Sequence, residues 1–169
     1  MLFRSGGSAS SRLFQEIREK RGMAYSVYSY SSQYADAGQI GVYVGTREDN
    51  LAECLEIAVR ELSDIASGNV RDDELARAKE NLKGRILLSL ESTSARMTRL
   101  GKSTITDTPL LTPEEIVKRL EAVKAGEVAE LADALLAPDG LSVAGIGPDE
   151  SRFAEAVERV NPALLVKAA

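Results

Sequence analysis

Residues 24 to 45 are the one early block of this chain in which side chains alternate with a period of two, and most of what surrounds it repeats at helical spacing. From Ala24 on, Tyr25, Val27 and Ser29 fall on one side and Ser26, Tyr28 and Tyr30 on the other, until Asp36-Ala37-Gly38 marks a turn. A second strand over about 39–45 is expected to pair back on the first as a hairpin.

The helical signals flank this block. Ser10 or Ser11 caps a helix whose apolar positions Leu13, Phe14 and Ile17 share a face, and Gly22 supplies the left-handed residue that ends it near Arg21. Thr46 with Asp49 three residues on resembles a capping box, followed by a stripe through Leu51, Leu55, Ala58, Val59, Leu62 and Ile65 to Gly68. Asp72 and Asp73 open a long helix carried by Leu75, Ala78, Leu82, Ile86 and Leu90, with a break expected near Glu91 before Met97, Leu100 and Ile105 resume the pattern. Thr112-Pro113-Glu114-Glu115 is a start signal for a helix over 113–122, and another is expected over 125–136. Pro138-Asp139-Gly140 reads as a turn, 141–146 as a short buried strand, and 149–159 as a last helix. Few strands and bunched helices predict an α+β fold, a mainly antiparallel sheet covered by helices. Three strands make a thin sheet, and a helix that opens the chain with nothing before it to pack on implies that a first strand is lacking.

A length of 169 residues is enough for one buried core and short for two, so a single domain over 1–169 is expected. A net charge of −5 sets up no field that would attract nucleic acid or an anionic membrane surface, and neither is expected as a partner. No apolar run approaches the roughly 20 residues of a membrane span, and the first residues lack the layout of a signal peptide. The lone cysteine, Cys54, has no second thiol to pair with, which fits a reducing compartment and a small buried side chain on a helix. There is no histidine in the chain, which excludes a histidine-dependent triad, a histidine-ligated zinc site and a histidine acid–base.

Several motifs have plain structural readings. Gly6-Gly7 before a helix start lacks a Gly-Lys-Ser/Thr ending and a preceding strand, so a flexible connection explains it better than phosphate binding. Glu53-Glu56 and Asp72-Asp73-Glu74 lie among Lys and Arg at helical spacing, as solvated faces do. Cations in Arg18-Glu19-Lys20-Arg21 suit a helix C-terminus, and tyrosines at 25, 28 and 30 suit a strand. Local chemistry alone does not separate these readings from functional ones.

The run GGSASSRLFQEIREKRGMAYSVYSYSSQYADAGQIGVYVGT, the helix ELARAKENLKG, the stretch Ala95-Arg96-Met97-Thr98-Arg99-Leu100-Gly101 and the closing LSVAGIGP resemble, in order and spacing, the second domain of zinc peptidases of the pitrilysin or insulinase family. The likeness is nearest to bacterial members similar to mitochondrial processing peptidase. It implies one half of a two-domain clamshell, lacking its first strand, with zinc in the absent N-terminal half and no metal or other cofactor in this chain. In the family it resembles, the second half supplies an arginine and a tyrosine, seven residues apart, near the scissile bond, and Arg18 and Tyr25 stand at that spacing. Charge develops on the carbonyl oxygen during peptide hydrolysis, and a tyrosine hydroxyl and an arginine fork can donate hydrogen bonds to it or to a neighbouring carbonyl. The implied partners are an N-terminal catalytic half or partner subunit and a peptide substrate, with homo-association of the uncovered fragment, in a bacterial cytoplasm; alone, the chain is expected to be inactive. The alternative within the same family is a scaffold or partner subunit that keeps the fold without catalysis.

Overall fold

In a computed structural model the described residues are 11–34, 36–136 and 141–161. Gly6-Gly7, the expected turn at Pro138-Asp139-Gly140 and any leading strand lie outside them. The hairpin forms as the alternation predicts: β1 (Ala24–Gln33) pairs antiparallel with β2 (Gly38–Thr46), and the two make a two-stranded sheet. The register fixes which face is apolar. Val27 of β1 and Val42 and Val44 of β2 point into the core, while Tyr28 stacks on Tyr43 directly opposite, with ring centroids 5.0 Å apart, on the outer face. Tyr30 lies over the backbone of Gly41, where a Cβ would come within 2.4 Å of its ring.

One register irregularity sits at the start of β1. Ala24 faces Thr46 and Ser26 faces Gly45, so Tyr25 is an extra residue with no cross-strand partner, a β-bulge. The sequence reading placed Tyr25 on the side of Val27 and Ser29, and this is corrected: the inserted residue breaks the period, so Ala24 and Val27 are buried and Tyr25 is exposed.

The first helix departs from α geometry. After one α-type bond from Gln15 N–H to the Ser11 carbonyl, Phe14–Glu19 form a π-helix, with Lys20 N–H reaching back five residues to the Gln15 carbonyl at 2.9 Å. Gly22, at φ 62°, turns the chain, and Met23 N–H closes on the Ile17 carbonyl at 3.0 Å. Leu13 and Ile17 are fully buried against Met23, Ala24 and Val27, while Phe14 is half-buried at the rim.

Helix α1 (Leu51–Ala66) covers the apolar face of the hairpin with Cys54, Ile57 and Ala58. The Thr46–Asp49 capping box does not form. Thr46 belongs to β2 and its hydroxyl donates to the Met23 carbonyl at 2.7 Å, so the chain enters α1 through a 3-10 turn over Glu48–Asn50. Helix α2 (Asp72–Ser89) ends at the expected break, and Ser92 caps α3 (Thr93–Ile105) by accepting from Ala95 N–H. Helix α4 (Pro113–Ala122) starts on the full Thr112–Glu115 capping box and packs on α2, where Lys79 Nζ donates to the Glu121 carbonyl at 2.8 Å. Helices α5 (Ala125–Leu135) and α6 (Glu150–Val160) lie against α1, with Ile65, Ala132, Ala156 and Val157 as their buried side chains.

The third strand expected over 141–146 is not one. The segment pairs with no described strand, and Ile146 is fully exposed. Among the described residues the segment forms no ladder with β1 or β2. It rests on α6 instead, where Gly145 leaves no room for a side chain against the Phe153 ring. The result remains α+β, helices over a small antiparallel sheet.

Candidate functional site

The basic run at the end of the π-helix divides by what each cation touches. Lys20 Nζ pairs with Glu16, and Arg21 Nη1 donates to the Glu16 carboxylate at 2.7 Å and sends Nε towards Glu53 at 3.4 Å. These hydrogen bonds, first from Lys20 and then from Arg21, hold the Glu16 carboxyl below its ordinary pKa. Arg18 takes a different direction. Among the described residues its carboxylate neighbour is Glu19, 3.8 Å from Nε, a weak and exposed contact.

Instead Arg18 crosses Gly22 to the strand start. Nη1 donates to the Tyr25 carbonyl at 3.0 Å, and the guanidinium carbon lies 4.7 Å from the centre of the Tyr25 ring and 4.8 Å from that of Phe14. The structure thus brings Arg18 and Tyr25 together, as the seven-residue spacing allows. Tyr25 is 83% exposed, so its hydroxyl is open to a molecule approaching the outer side of the hairpin.

The strand start is held from behind. The Met23 carbonyl accepts from Thr46 Oγ1 at 2.7 Å and from Asn50 Nδ2 at 3.4 Å, and Cys54 Sγ donates to Thr46 Oγ1 at 3.7 Å. Burial raises the Cys54 thiol pKa, so the group stays protonated and able to donate. Sequence reasoning missed Phe14, Thr46 and Asn50 as supports of the pair. Phe14 carried only an apolar signal, Thr46 carried one that pointed to helix capping, and Asn50 was not singled out.

A second polar cluster lies on the other side of the π-helix. Arg12 donates from Nε and Nη2 to the two oxygens of Glu74 at 2.9 and 2.8 Å, and also reaches the Asn69 carbonyl. That bidentate bond is the main cause of a raised Arg12 pKa. An open cleft of about 720 Å³ runs past Arg12, Glu16, Glu61, Asp64 and Glu74, and neither Arg18 nor Tyr25 lines it. Each of its carboxylates has a cationic neighbour, which marks a structural clasp between the π-helix and α2. Among the described residues no group of three or more His, Cys, Asp or Glu side chains comes together to hold a metal ion, and no helix is long and apolar enough to cross a membrane.

Residues 2–82 match the family model described as the peptidase M16 inactive domain. An uncharacterized zinc protease of Streptomyces coelicolor is 43% identical over 155 residues, 90% of this chain and 34% of that protein. A second, from Bacillus subtilis, is 42% identical over 134 residues, 79% of this chain and 33% of that protein. The chain therefore spans about a third of the length of these relatives. A solved protein from Enterococcus faecalis superposes with a TM-score of 0.68 at 30% identity over 78% of this chain and 30% of that one. The M16 inactive domain from Pseudomonas fluorescens superposes with a TM-score of 0.69 at 24% identity, over 79% of this chain and 32% of that one, a likeness of fold.

Proposed function

Because the chain is related to the inactive, C-terminal domain of the M16 zinc proteases, we propose that it is the substrate-contacting, non-zinc-binding half of a zinc metalloendopeptidase. In this reading 1–169 form one domain that closes over a peptide held by an N-terminal catalytic half or partner subunit, in a bacterial cytoplasm. Zinc does not fit this chain: it has no histidine, and among the described residues no group of three or more Cys, Asp or Glu side chains is arranged to hold a metal ion. The metal belongs to the other half.

The observation that carries the proposal is the placement of Arg18 against an exposed Tyr25 at the mouth of the hairpin. A guanidinium has five N–H donors, and one of them goes to the Tyr25 carbonyl. The remainder, with the tyrosine hydroxyl, form a donor set for a peptide carbonyl on which charge builds during hydrolysis. Neither side chain has to give up a proton. They orient the peptide and stabilise its oxygen.

The test is kinetic, on this chain assembled with its zinc-carrying half. Tyr25→Phe deletes one hydroxyl from an exposed position and should lower kcat by about 10²–10³, with no change in melting temperature. Arg18→Ala should cost a comparable rate and about 1 kcal/mol of stability from its lost ring and carbonyl contacts. Wild-type turnover by both variants would overturn the proposal. Metal analysis of the dialysed chain alone should show no stoichiometric zinc.

A scaffold reading has one observation of its own: Arg18 Nη1 is bonded to the backbone of Tyr25, so the pair also serves as a clasp between helix and strand. A scaffold loses stability rather than turnover in Arg18→Ala, and is indifferent to Tyr25→Phe.

A further inference from the structure

The π-helix places a third residue in the Arg18–Tyr25 pair. Phe14 lies four residues before Arg18, half-buried, with part of its ring packed against the Leu13–Ile17 core and part within 4.8 Å of the guanidinium carbon. Leu13 and Ile17 are fully buried, whereas Phe14 is only partly so and turns part of its ring to the cation. Residues four apart are neighbours on one helix face, and the π-helix keeps Phe14 and Arg18 in that relation.

We propose that Phe14 is the positioning residue of the site, fixing the Arg18 head against the Tyr25 ring. This rests on the reading of Arg18 and Tyr25 as substrate-contacting groups. Arginine carries a long side chain with several rotatable bonds, and an unsupported one exposed by a third of its surface samples many rotamers. Three contacts remove that freedom here: the Phe14 ring, the Tyr25 ring and the Tyr25 carbonyl. A head fixed before substrate arrives loses little entropy on donating to it, so the benefit falls on the rate at which bound peptide reacts. Phe14 touches no substrate in this account and acts through Arg18 alone.

The experiment is a double-mutant cycle on the assembled two-half protein, with a quenched-fluorescent peptide library as probe and arginine side chains labelled at Nε. Phe14→Leu keeps an apolar side chain and removes the ring; it should lower kcat/KM by about 5- to 30-fold and abolish the ring-current shift of the Arg18 Nε–H resonance that the Phe14 ring supplies. Phe14→Tyr should restore both. In an Arg18→Ala background, Phe14→Leu should have no further kinetic effect. Equal losses from Phe14→Leu with and without Arg18, or an unchanged Arg18 resonance, would overturn the assignment while leaving the reading of the pair intact. Wild-type activity of Arg18→Ala would instead remove both. If Phe14→Leu melts early, Phe14→Met fills the volume differently, and the same cycle and resonance decide the case.

Discussion

Arg12 and Glu74, 62 residues apart, meet through two parallel hydrogen bonds of 2.9 and 2.8 Å in a site where the glutamate side chain is 3% exposed and the arginine 14%. The bond ties a residue two before the π-helix to the first turn of α2. It anchors the base of the element whose far end carries Arg18.

A buried pair of this kind is costly to break from one side, since the remaining charge is left without its partner. Arg12→Met is expected to destabilise the protein by about 3–5 kcal/mol. Joint replacement, Arg12→Met with Glu74→Leu, should recover most of that loss. Urea unfolding of the two single variants and the double variant checks this; a double variant as unstable as the sum of the singles would show that the pair is not the unit.

Two glycines should respond to alanine with opposite signs. Gly22 has φ 62° and nothing within 4 Å of a built Cβ, so the cost of Gly22→Ala is wholly conformational, about 1–2 kcal/mol. Gly84 lies inside α2, also with open space around it, and Gly84→Ala should stabilise by about 0.5–1 kcal/mol. Thermal melts of the two variants should move apart in opposite directions, and a shared direction would contradict the helix boundaries given above.

Acid should weaken the end of the π-helix. The Glu16 carboxyl is held below its ordinary pKa by Lys20 and Arg21, so the folded state binds that proton less readily than the unfolded chain. Its contribution is therefore complete above the ordinary glutamate pKa of about 4.3 and is lost as pH falls through the lowered folded value. Stability measured from pH 6 to pH 3 should fall less steeply in Glu16→Gln than in the parent. An identical slope would mean that the pairs with Lys20 and Arg21 are solvent-separated in solution.

The chain alone should associate as its concentration rises. Met97, Leu100 and Ile105 of α3 are exposed, at 68, 51 and 86%, and among the described residues the outer edges of β1 and β2 pair with no third strand. Light scattering across a concentration series should show a rising mean mass, and a constant monomer mass at high concentration would contradict this.

Elements whose limits are set by neighbouring residues were legible in the sequence. The capping box at Thr112 and Glu115 located α4, and Asp36-Ala37-Gly38 located the hairpin turn. What failed depended on partners distant in sequence. Thr46 offers the same hydroxyl to a helix cap or to a carbonyl, and only the approach of Met23 decides between them. The run over 141–146 has strand composition, but a strand also needs a partner, and among the described residues it pairs with none. The seven-residue step from Arg18 to Tyr25 was legible through family resemblance. The bulge, the π-turn and the ring of Phe14 were not, because each inserts or contacts without a residue type of its own.

The bulge at Tyr25 also has a bearing on descent. As the extra residue, Tyr25 takes part in no ladder pair, so a chain lacking it can still pair Ala24 with Thr46 and close Ser26 against Gly45 in even register. The distance from Arg18 to the tyrosine is thus a property of chain length, and a one-residue deletion removes the arrangement while every core position keeps its identity. Such a deletion would leave the hairpin intact, and comparison of core residues alone would not reveal it. Counting residues between the helix arginine and the first outward tyrosine would.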